Sequence, residues 1–319
     1  MKIFYNYKKI SKYTKNSTLL VGNFDGVHRG HQKIIESAKK IRSSKNNKVG
    51  VLLFDPHPKI FFKKDQKNFL LTQIDTRCEI LKSYGIDFVI VLKFSNSVSK
   101  MTPRSFCSKI LSEGIQMKNI FVGKNFKFGK NRAGDYKYLK DFGERNNFLV
   151  SPVDIFKIPA SFGKYFKKKI YSSSNVRLAV ERGSVKLARN ILGRSWFVVG
   201  KVIKGDQRGR TIGFPTANIE IDGYVQPKYG VYAVSIEILY KNKKIKSYNG
   251  VANFGVRPTF KKINPLLEVY LFDFNLNIYN SALKVTFIDF IRNEKKFLDI
   301  KSLKMQLNED ILKAKKILI

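Results

Sequence analysis

The feature that most constrains the fold is the spacing of apolar segments in the first half of the chain. Up to about residue 155, runs with the length and β-branched content of buried strands alternate with helical patterns. Near-continuous apolar strands between helices are typical of a parallel sheet covered on both faces. Such sheets bind ligands beyond the carboxyl ends of their strands, so the pattern predicts an α/β ligand-binding domain. The predicted strands are Leu19–Asn23, Val49–Phe54, Asp87–Phe94, Asn119–Phe126 and Phe148–Ile155.

The second half of the chain has a different pattern. Two short helices are predicted at Asn175–Arg182 and Ser184–Leu192, with Gly193 placed to end the second. From Trp196 to about Arg292, short alternating strands separated by turn residues indicate an antiparallel β-barrel, and helical periodicity resumes over Lys301–Ile319. A length of 319 residues suits two cores, and the predicted domains are 1–185 and 186–319.

Composition excludes several classes of protein. The first ten residues lack the apolar run of a signal peptide, and no apolar stretch approaches the length of a membrane span. Cys78 and Cys107 cannot form a disulfide framework, so we expect a soluble cytoplasmic protein with reduced thiols and no membrane partner. The formal net charge is +37, but the lysines are scattered rather than clustered with aromatic residues. This favours a solvated surface over a specific nucleic-acid partner, although the charge would help to steer anionic substrates.

All three histidines of the chain fall in two short motifs, Gly22–His31 and Phe54–Pro58. The first motif follows a predicted strand and precedes a predicted helix. Its glycines allow backbone to approach a ligand, and a helix N-terminus supplies free N–H groups and partial positive charge for phosphate. His28 and His31, three residues apart, can face one triphosphate. The motif therefore indicates nucleotidyl transfer, in which the protein positions the reactants and stabilises the departing pyrophosphate.

A second phosphate-binding element is predicted at Tyr171–Arg177. Ser172, Ser173 and Ser174 precede an apolar helical pattern, and Arg177 is expected within the first turn of that helix. Hydroxyls, free N–H groups and a guanidinium would converge there on phosphates. Taken alone, the same segment is also an ordinary helix N-cap.

The barrel region carries a third candidate, Gly205–Asn218. Its glycines predict a loop whose N–H groups wrap phosphates, although the ending of a Walker loop is absent. Thr216 and Asn218 alternate along a predicted strand, and their side-chain oxygens can hold a Mg²⁺ that keeps several waters. Glu268 is one carboxylate in an apolar strand, suited to a general base, although composition alone favours an outward-facing strand residue.

These motifs together resemble those of bacterial bifunctional riboflavin kinase/FMN adenylyltransferases, also called FAD synthetases, over nearly the whole chain. The resemblance rests on the histidine motifs and on the segments Leu71–Thr72, Val122–Gly129, Arg132–Gly134, Ser173–Arg177, Gly205–Arg210, Pro215–Asn218, Gly250–Asn253, Arg257–Thr259 and Glu268–Phe274. It implies a Rossmann-like nucleotidyltransferase domain followed by a Greek-key type riboflavin kinase barrel with a terminal helix. The first domain would convert FMN and ATP to FAD and pyrophosphate, and the second would phosphorylate riboflavin to FMN.

The resemblance also implies roles for individual residues. ATP for adenylyl transfer would meet Gly22, Phe24, His28, His31, Ser173, Ser174 and Arg177, with His28 and His31 catalytic, and the flavin would meet Phe62, Asn125 and Phe128. In the kinase, Gly205, Asp206, Arg208, Gly209, Arg210, Gly213, Thr216 and Asn218 would bind ATP and its phosphates. Thr216 and Asn218 would hold Mg²⁺, and Glu268 would activate the ribityl 5′-hydroxyl.

Two residues depart from the family pattern. Ser174 stands where Thr is usual and keeps the hydroxyl, whereas Tyr270 stands where His is frequent and bears on flavin affinity. We expect Mg²⁺ in both steps and a monomer or weak homo-oligomer. The alternatives are a nucleotidyltransferase for another phosphorylated alcohol and a basic RNA-binding or flavin-sensing protein.

Overall fold

The structure is a computed structural model of the 319-residue chain. It describes residues 1–41, 47–63, 67–204, 208–240, 243–256, 265–279 and 281–319, and the side chains of Arg208 and Arg210 lie outside the description. The chain divides into two compact units. Unit 1 comprises Met1–Lys67 and Thr72–Ser172, and unit 2 comprises Asn68–Leu71 and Ser173–Ile319.

Unit 1 is built around a parallel six-stranded sheet in the order β1-β4-β3-β2-β5-β8. Its central strands are buried except at Asp55 and Lys93, the last residues of two of them, because they consist mainly of aliphatic and aromatic residues covered on both faces. This confirms the predicted parallel sheet. The strands are β1 (Lys2–Phe4), β2 (Thr18–Val21), β3 (Val49–Asp55), β4 (Phe88–Lys93), β5 (Asn119–Gly123) and β8 (Leu149–Val153), with a separate hairpin of β6 (Lys127–Phe128) and β7 (Gly134–Asp135).

The helices of unit 1 lie between these strands. The described ones are α1 (Ser11–Thr14), α2 (Arg29–Lys40), α3 (Pro58–Phe62), α4 (Ile74–Ser83), α5 (Asn96–Ser99), α6 (Pro103–Ser105), a π-helical stretch Phe106–Ile115, a 3₁₀ turn Lys130–Arg132, α7 (Tyr136–Arg145) and α8 (Ala160–Gly163). The strand order reverses at β2, because β3 and β4 follow on one side of it and β5 on the other. A crevice at such a reversal is where open α/β sheets bind ligands.

Unit 2 contains a closed antiparallel barrel in the order β10-β13-β12-β11-β14-β9. Helix α12 packs on it through apolar residues that include Ile311 and Ala314. The predicted barrel and terminal helix are therefore confirmed. The elements are α9 (Ser173–Glu181), α10 (Val185–Leu192), β9 (Phe197–Ile203), α11 (Arg208–Thr211), β10 (Ala217–Ile219), β11 (Gly230–Tyr240), β12 (Lys243–Val256), β13 (Pro265–Leu271), β14 (Ala282–Arg292) and α12 (Ile300–Leu318).

Candidate active sites

The loop that follows β2 has an unusual backbone. Phe24, Gly26 and Val27 adopt positive φ angles of 48°, 80° and 41°. A positive φ is uncommon for Phe and a clear outlier for the β-branched Val27, and such conformations cost about 1–3 kcal/mol each. Val27 is nevertheless completely buried. Contacts elsewhere in unit 1 must therefore hold the loop in this shape.

The loop ends in a stacked pair of imidazoles. His28 caps α2, and its Nδ1 accepts a hydrogen bond from the His31 backbone N–H at 3.4 Å. The two rings stack with centroids 3.7 Å apart, and the Phe24 ring lies 4.7 Å from His31. Gly30 permits this arrangement because a Cβ there would lie 3.1 Å from both the His28 ring and Tyr171. A Cβ on Gly22 would lie 3.3 Å from the Phe24 ring, so the structure brings all four predicted ATP-binding residues of this motif together.

His31 is held in its neutral form. Burial is the main cause that lowers its pKa from 6.5 to about 3, and the Arg77 charge lowers it further. Among the described residues its Nδ1 is buried without a hydrogen-bond partner. A neutral imidazole nitrogen can accept or donate a hydrogen bond according to its tautomer, so His31 suits a polar ligand at the start of α2.

Sequence reasoning missed the side chain that organises this loop, Arg77 on α4. Its guanidinium pairs with Asp25 at 3.3 Å, both side chains being at most 2% exposed. It also donates to the Asn23 carbonyl at 3.0 Å and to the Thr72 carbonyl at 2.7 Å. The Thr72 backbone N–H donates a hydrogen bond to the Asp25 carboxylate, and the Thr72 hydroxyl accepts a hydrogen bond from the Gly26 N–H. Thr72 belongs to the Leu71–Thr72 segment of the resemblance, but nothing in the local pattern singles out Arg77.

The predicted flavin-binding residues differ in their surroundings. Asn125 is exposed just beyond the carboxyl end of β5, the neighbour of β2. The Phe62 ring is 67% exposed and contacts Phe94 edge-on. Phe128 is only 6% exposed, packs in the core and stacks on Phe126 at 5.4 Å. Phe62 therefore presents a free ring surface, whereas most of the Phe128 ring is covered by protein.

The serine–arginine element opens α9 in unit 2. Ser173 is half-buried and Ser174 exposed at the helix start. Arg177 is the fifth helical residue, so the expectation that it lies in the first turn is wrong by one position. Its guanidinium is buried, lies 3.6 Å from the centre of the Phe69 ring and donates to the Phe69 carbonyl at 2.7 Å.

In the barrel, strand register places the predicted kinase residues side by side. Glu268 on β13 pairs with Asn218 on β10 and with Asn253 on β12. Paired residues on neighbouring strands share one face of a sheet, and this face is opposite to the one that carries Leu267 and Val269, both fully buried. Asn218 is 4% exposed, and among the described residues its Oδ1 is buried without a hydrogen-bond partner. The half-buried Glu268 thus lies between two asparagines on one face of the barrel sheet.

The glycine-rich segment before β10 is a tight turn rather than an open phosphate loop over its described part. Helix α11 is followed by a hydrogen bond from the Phe214 N–H to the Gly209 carbonyl. A Cβ on Gly209 would lie 2.3 Å from the Phe214 carbonyl oxygen and 3.4 Å from Thr216 Oγ1, and Gly213 has a φ of 87°. Thr216 is exposed and lies one residue before β10, not within it as predicted. The predictions for Gly205, Asp206 and the side chains of Arg208 and Arg210 lie outside the described residues.

The side-chain oxygens of Asn218 and Thr216 in the barrel are of the type that binds a hard cation. The described residues contain no cluster of three or more His, Cys, Asp or Glu side chains that could hold a metal ion. The Asn218 amide oxygen, which has no hydrogen-bond partner among the described residues, and the exposed hydroxyl of Thr216 match Mg²⁺, which keeps several waters and is shared with substrate phosphates.

An α/β unit with a histidine loop at its strand-order reversal, followed by a closed barrel with paired Asn and Glu, defines a two-domain nucleotide-dependent transferase. The family model described as FAD synthetase matches residues 10–161, and the one described as riboflavin kinase matches residues 192–318.

Relatives share both regions. The chain is 35% identical over 319 residues to the bifunctional riboflavin kinase/FMN adenylyltransferase of Buchnera aphidicola subsp. Schizaphis graminum, covering 99% of this chain and 98% of the relative. The Haemophilus influenzae protein of the same name is 35% identical over 315 residues, with 99% and 98% covered. A solved structure described as a macrolide-efflux protein from Streptococcus pneumoniae aligns with a TM-score of 0.80 and 29% identity, covering 97% and 96%.

The chain belongs to the bifunctional riboflavin kinase/FMN adenylyltransferase family. It is a transferase of flavin cofactor biosynthesis that uses ATP with riboflavin and with FMN. In the part of the chain that the structure describes, no helix combines the length and apolarity needed to span a membrane.

Proposed function

We propose that unit 2 makes FMN with Glu268 as general base. The riboflavin 5′-hydroxyl gives its proton to the Glu268 carboxylate and attacks the γ-phosphorus of ATP in line, and ADP leaves. Asn218 and Thr216 would hold the Mg²⁺ that accompanies ATP. When bound, this cation would neutralise phosphate charge. Gly209 and Gly213 shape the turn that carries Thr216, and Gly205, Asp206, Arg208 and Arg210 stay predicted phosphate-binding residues.

We propose that the loop from Gly22 to His31 carries out the second step. A phosphate oxygen of FMN attacks the α-phosphorus of ATP, and the bond to pyrophosphate breaks. His28, His31 and the first N–H groups of α2 stabilise the charge that develops on the leaving group. Asn125 and Phe62 would contact the flavin. The roles of Phe128 at the flavin and of Ser173, Ser174 and Arg177 at ATP stay predictions, as do the domain limits 1–185 and 186–319, the cytoplasmic location and the monomeric or weakly oligomeric state.

One observation supports both assignments: each unit contains its own cluster of polar residues. These are the stacked His28 and His31 after β2 and the Asn218–Glu268 pair in the barrel. Two separate groups predict two separable activities.

The test is to incubate the purified protein with riboflavin and Mg-ATP, and separately with FMN and Mg-ATP, and to follow products by chromatography. We expect FMN and then FAD in the first mixture and FAD in the second. His28→Ala or His31→Ala should abolish FAD formation while FMN formation persists. FMN without FAD from the wild-type protein would reject the assignment of unit 1, and tight salt-dependent RNA binding without turnover would favour the rival class.

A further inference from the structure

Arg77 has the contacts of a residue that holds another element in place. Its three guanidinium nitrogens reach Asp25, Thr72 and the Asn23 carbonyl at 2.7–3.3 Å, and the side chain is only 2% exposed. Three of its four hydrogen bonds go to Asp25 and Thr72, two residues 47 positions apart, and the Thr72 backbone N–H itself donates to Asp25. Arginine suits this role because its planar fork donates in several fixed directions at once.

The loop that Arg77 grips is the strained one. Asn23 and Asp25 flank Phe24, and Gly26 donates to Thr72 at 3.0 Å, so the network contacts the loop on both sides of Phe24 and at Gly26 itself. A buried ion pair is weak evidence for stability, since desolvation offsets much of its attraction. Fixing one conformation is the better-attested use of such a pair, and here the fixed loop leads directly into His28 and His31.

The charge of Arg77 also acts on the site. It contributes to lowering the pKa of His31, after burial, and it opposes the effect of burial on the pKa of Asp55, which is raised overall by desolvation and by Asp75. The titratable groups that feel the charge of Arg77 are therefore Asp25, Asp55, Cys78 and His31. Removing the guanidinium would loosen the loop and would ease protonation of the ring.

We propose that Arg77 is a positioning residue for adenylyl transfer: through Asp25 and Thr72 it fixes the Asn23–Val27 loop so that His28 and His31 face the phosphates of ATP. It does not contact substrate. The inference rests on the proposed function of unit 1. It predicts that loss of Arg77 acts on kcat for FAD formation more than on KM for ATP, because misplaced groups lose transition-state contacts.

The test compares Arg77→Met with Lys82→Met, which removes one charge from an exposed position of the same helix. FAD formation from FMN by the Arg77 variant should fall roughly 10- to 100-fold in kcat, the size of effect that an ångström-scale misplacement produces. Lys82→Met should match the wild type. Thr72→Val removes the hydroxyl that accepts from Gly26 but keeps the Arg77 charge, so it should also lower kcat. FMN formation by the same molecules is an internal control and should not change.

Histidine NMR distinguishes a positioning role of Arg77 from a purely structural one. The spectrum is simple because the chain has three imidazoles. In Arg77→Met, His31 should stay in a folded environment and titrate at a higher pH than in the wild type, whereas in Thr72→Val its titration should stay low. Unchanged kcat, or loss of kcat together with unfolded-chain histidine signals, would overturn the proposal. A wild-type protein that makes no FAD would instead reject the proposed function, and the NMR comparison would still report whether Arg77 holds the loop.

Discussion

Asn218 on β10 lies directly opposite Glu268 on β13, and Asn253 on β12 flanks Glu268 on its other side. Directly opposed residues of antiparallel strands have Cβ atoms about 4.5–5.5 Å apart. A group bound to the Asn218 amide is thus within reach of a substrate hydroxyl at the carboxylate. This spacing suits phosphoryl transfer, in which attacking oxygen, phosphorus and cation must lie close together.

The first prediction concerns the general base. Glu268→Gln keeps the size of the side chain but removes its capacity to accept a proton, so kcat for FMN formation should fall by about 10²–10⁴. FAD formation from supplied FMN should stay at the wild-type rate. Glu237→Gln, at a half-buried position of β11 paired with Lys284, is the matched control and should leave both rates unchanged. Loss of both activities in Glu268→Gln would argue against two independent sites.

The second prediction concerns Oδ1 of Asn218, which has no hydrogen-bond partner in the described part of the chain. If Oδ1 serves a Mg²⁺ ion, Asn218→Leu should raise the Mg²⁺ concentration needed for half-maximal FMN formation. The same change should not lower the melting temperature, because it removes a buried amide oxygen without a partner among the described residues, and such an unsatisfied buried acceptor costs about 1–3 kcal/mol. An opposite result, with reduced stability and an unchanged Mg²⁺ requirement, would make Asn218 a structural residue.

The sequence predicted elements whose signal is local. The strand predicted at Val49–Phe54 runs Val49–Asp55, and the helix predicted over Lys301–Ile319 runs Ile300–Leu318. Gly193 ends α10 in the left-handed conformation, as predicted. Periodicity and helix caps are properties of a few neighbouring residues, so a single sequence displays them.

What the sequence did not reveal depends on residues far apart in the chain. The Arg77–Asp25 ion pair joins positions 52 apart, and a lone Arg within a helical pattern looks like an exposed charge. The segment Asn68–Leu71 belongs to unit 2 although its neighbours belong to unit 1, and the Trp196 indole N–H donates to the Leu71 carbonyl. No local pattern reports such long-range pairing. From the sequence, only family resemblance indicated that Glu268 and Asn218 belong to one site. The strand register shows that they are paired on neighbouring strands.

A third prediction concerns the attachment of α12. Arg292 at the end of β14 makes a bidentate ion pair with Asp310, with a shortest distance of 2.6 Å, and Asp310 is only 1% exposed. Asp310→Ala would leave the partly buried guanidinium without its partner, which costs about 3–5 kcal/mol for a buried pair. Denaturant unfolding of unit 2, followed by Trp196 fluorescence, should show this loss. Lys186→Met, which breaks the more exposed pair with Asp289, should cost less than about 1 kcal/mol.

The last prediction follows from the neutral His31. Its pKa is about 3 in the folded chain and 6.5 without the fold, so between these values the unfolded chain binds a proton that the native chain does not. Unit 1 should therefore lose stability as pH falls from 6.5 toward 3, with a slope of up to about 1.4 kcal/mol per pH unit from this group, and the effect should be absent above pH 6.5. His31→Gln lacks the titrating group. Amide exchange in the β2–β3 part of the sheet, measured for both proteins between pH 4 and 7, should show their stabilities converging or crossing as the pH falls, because only the wild type carries the penalty. If stability changed with pH in the same way in both proteins, His31 would bind its proton equally well in the folded and the unfolded chain. The packing of its ring against His28 and Phe24 would then not exclude the charged form.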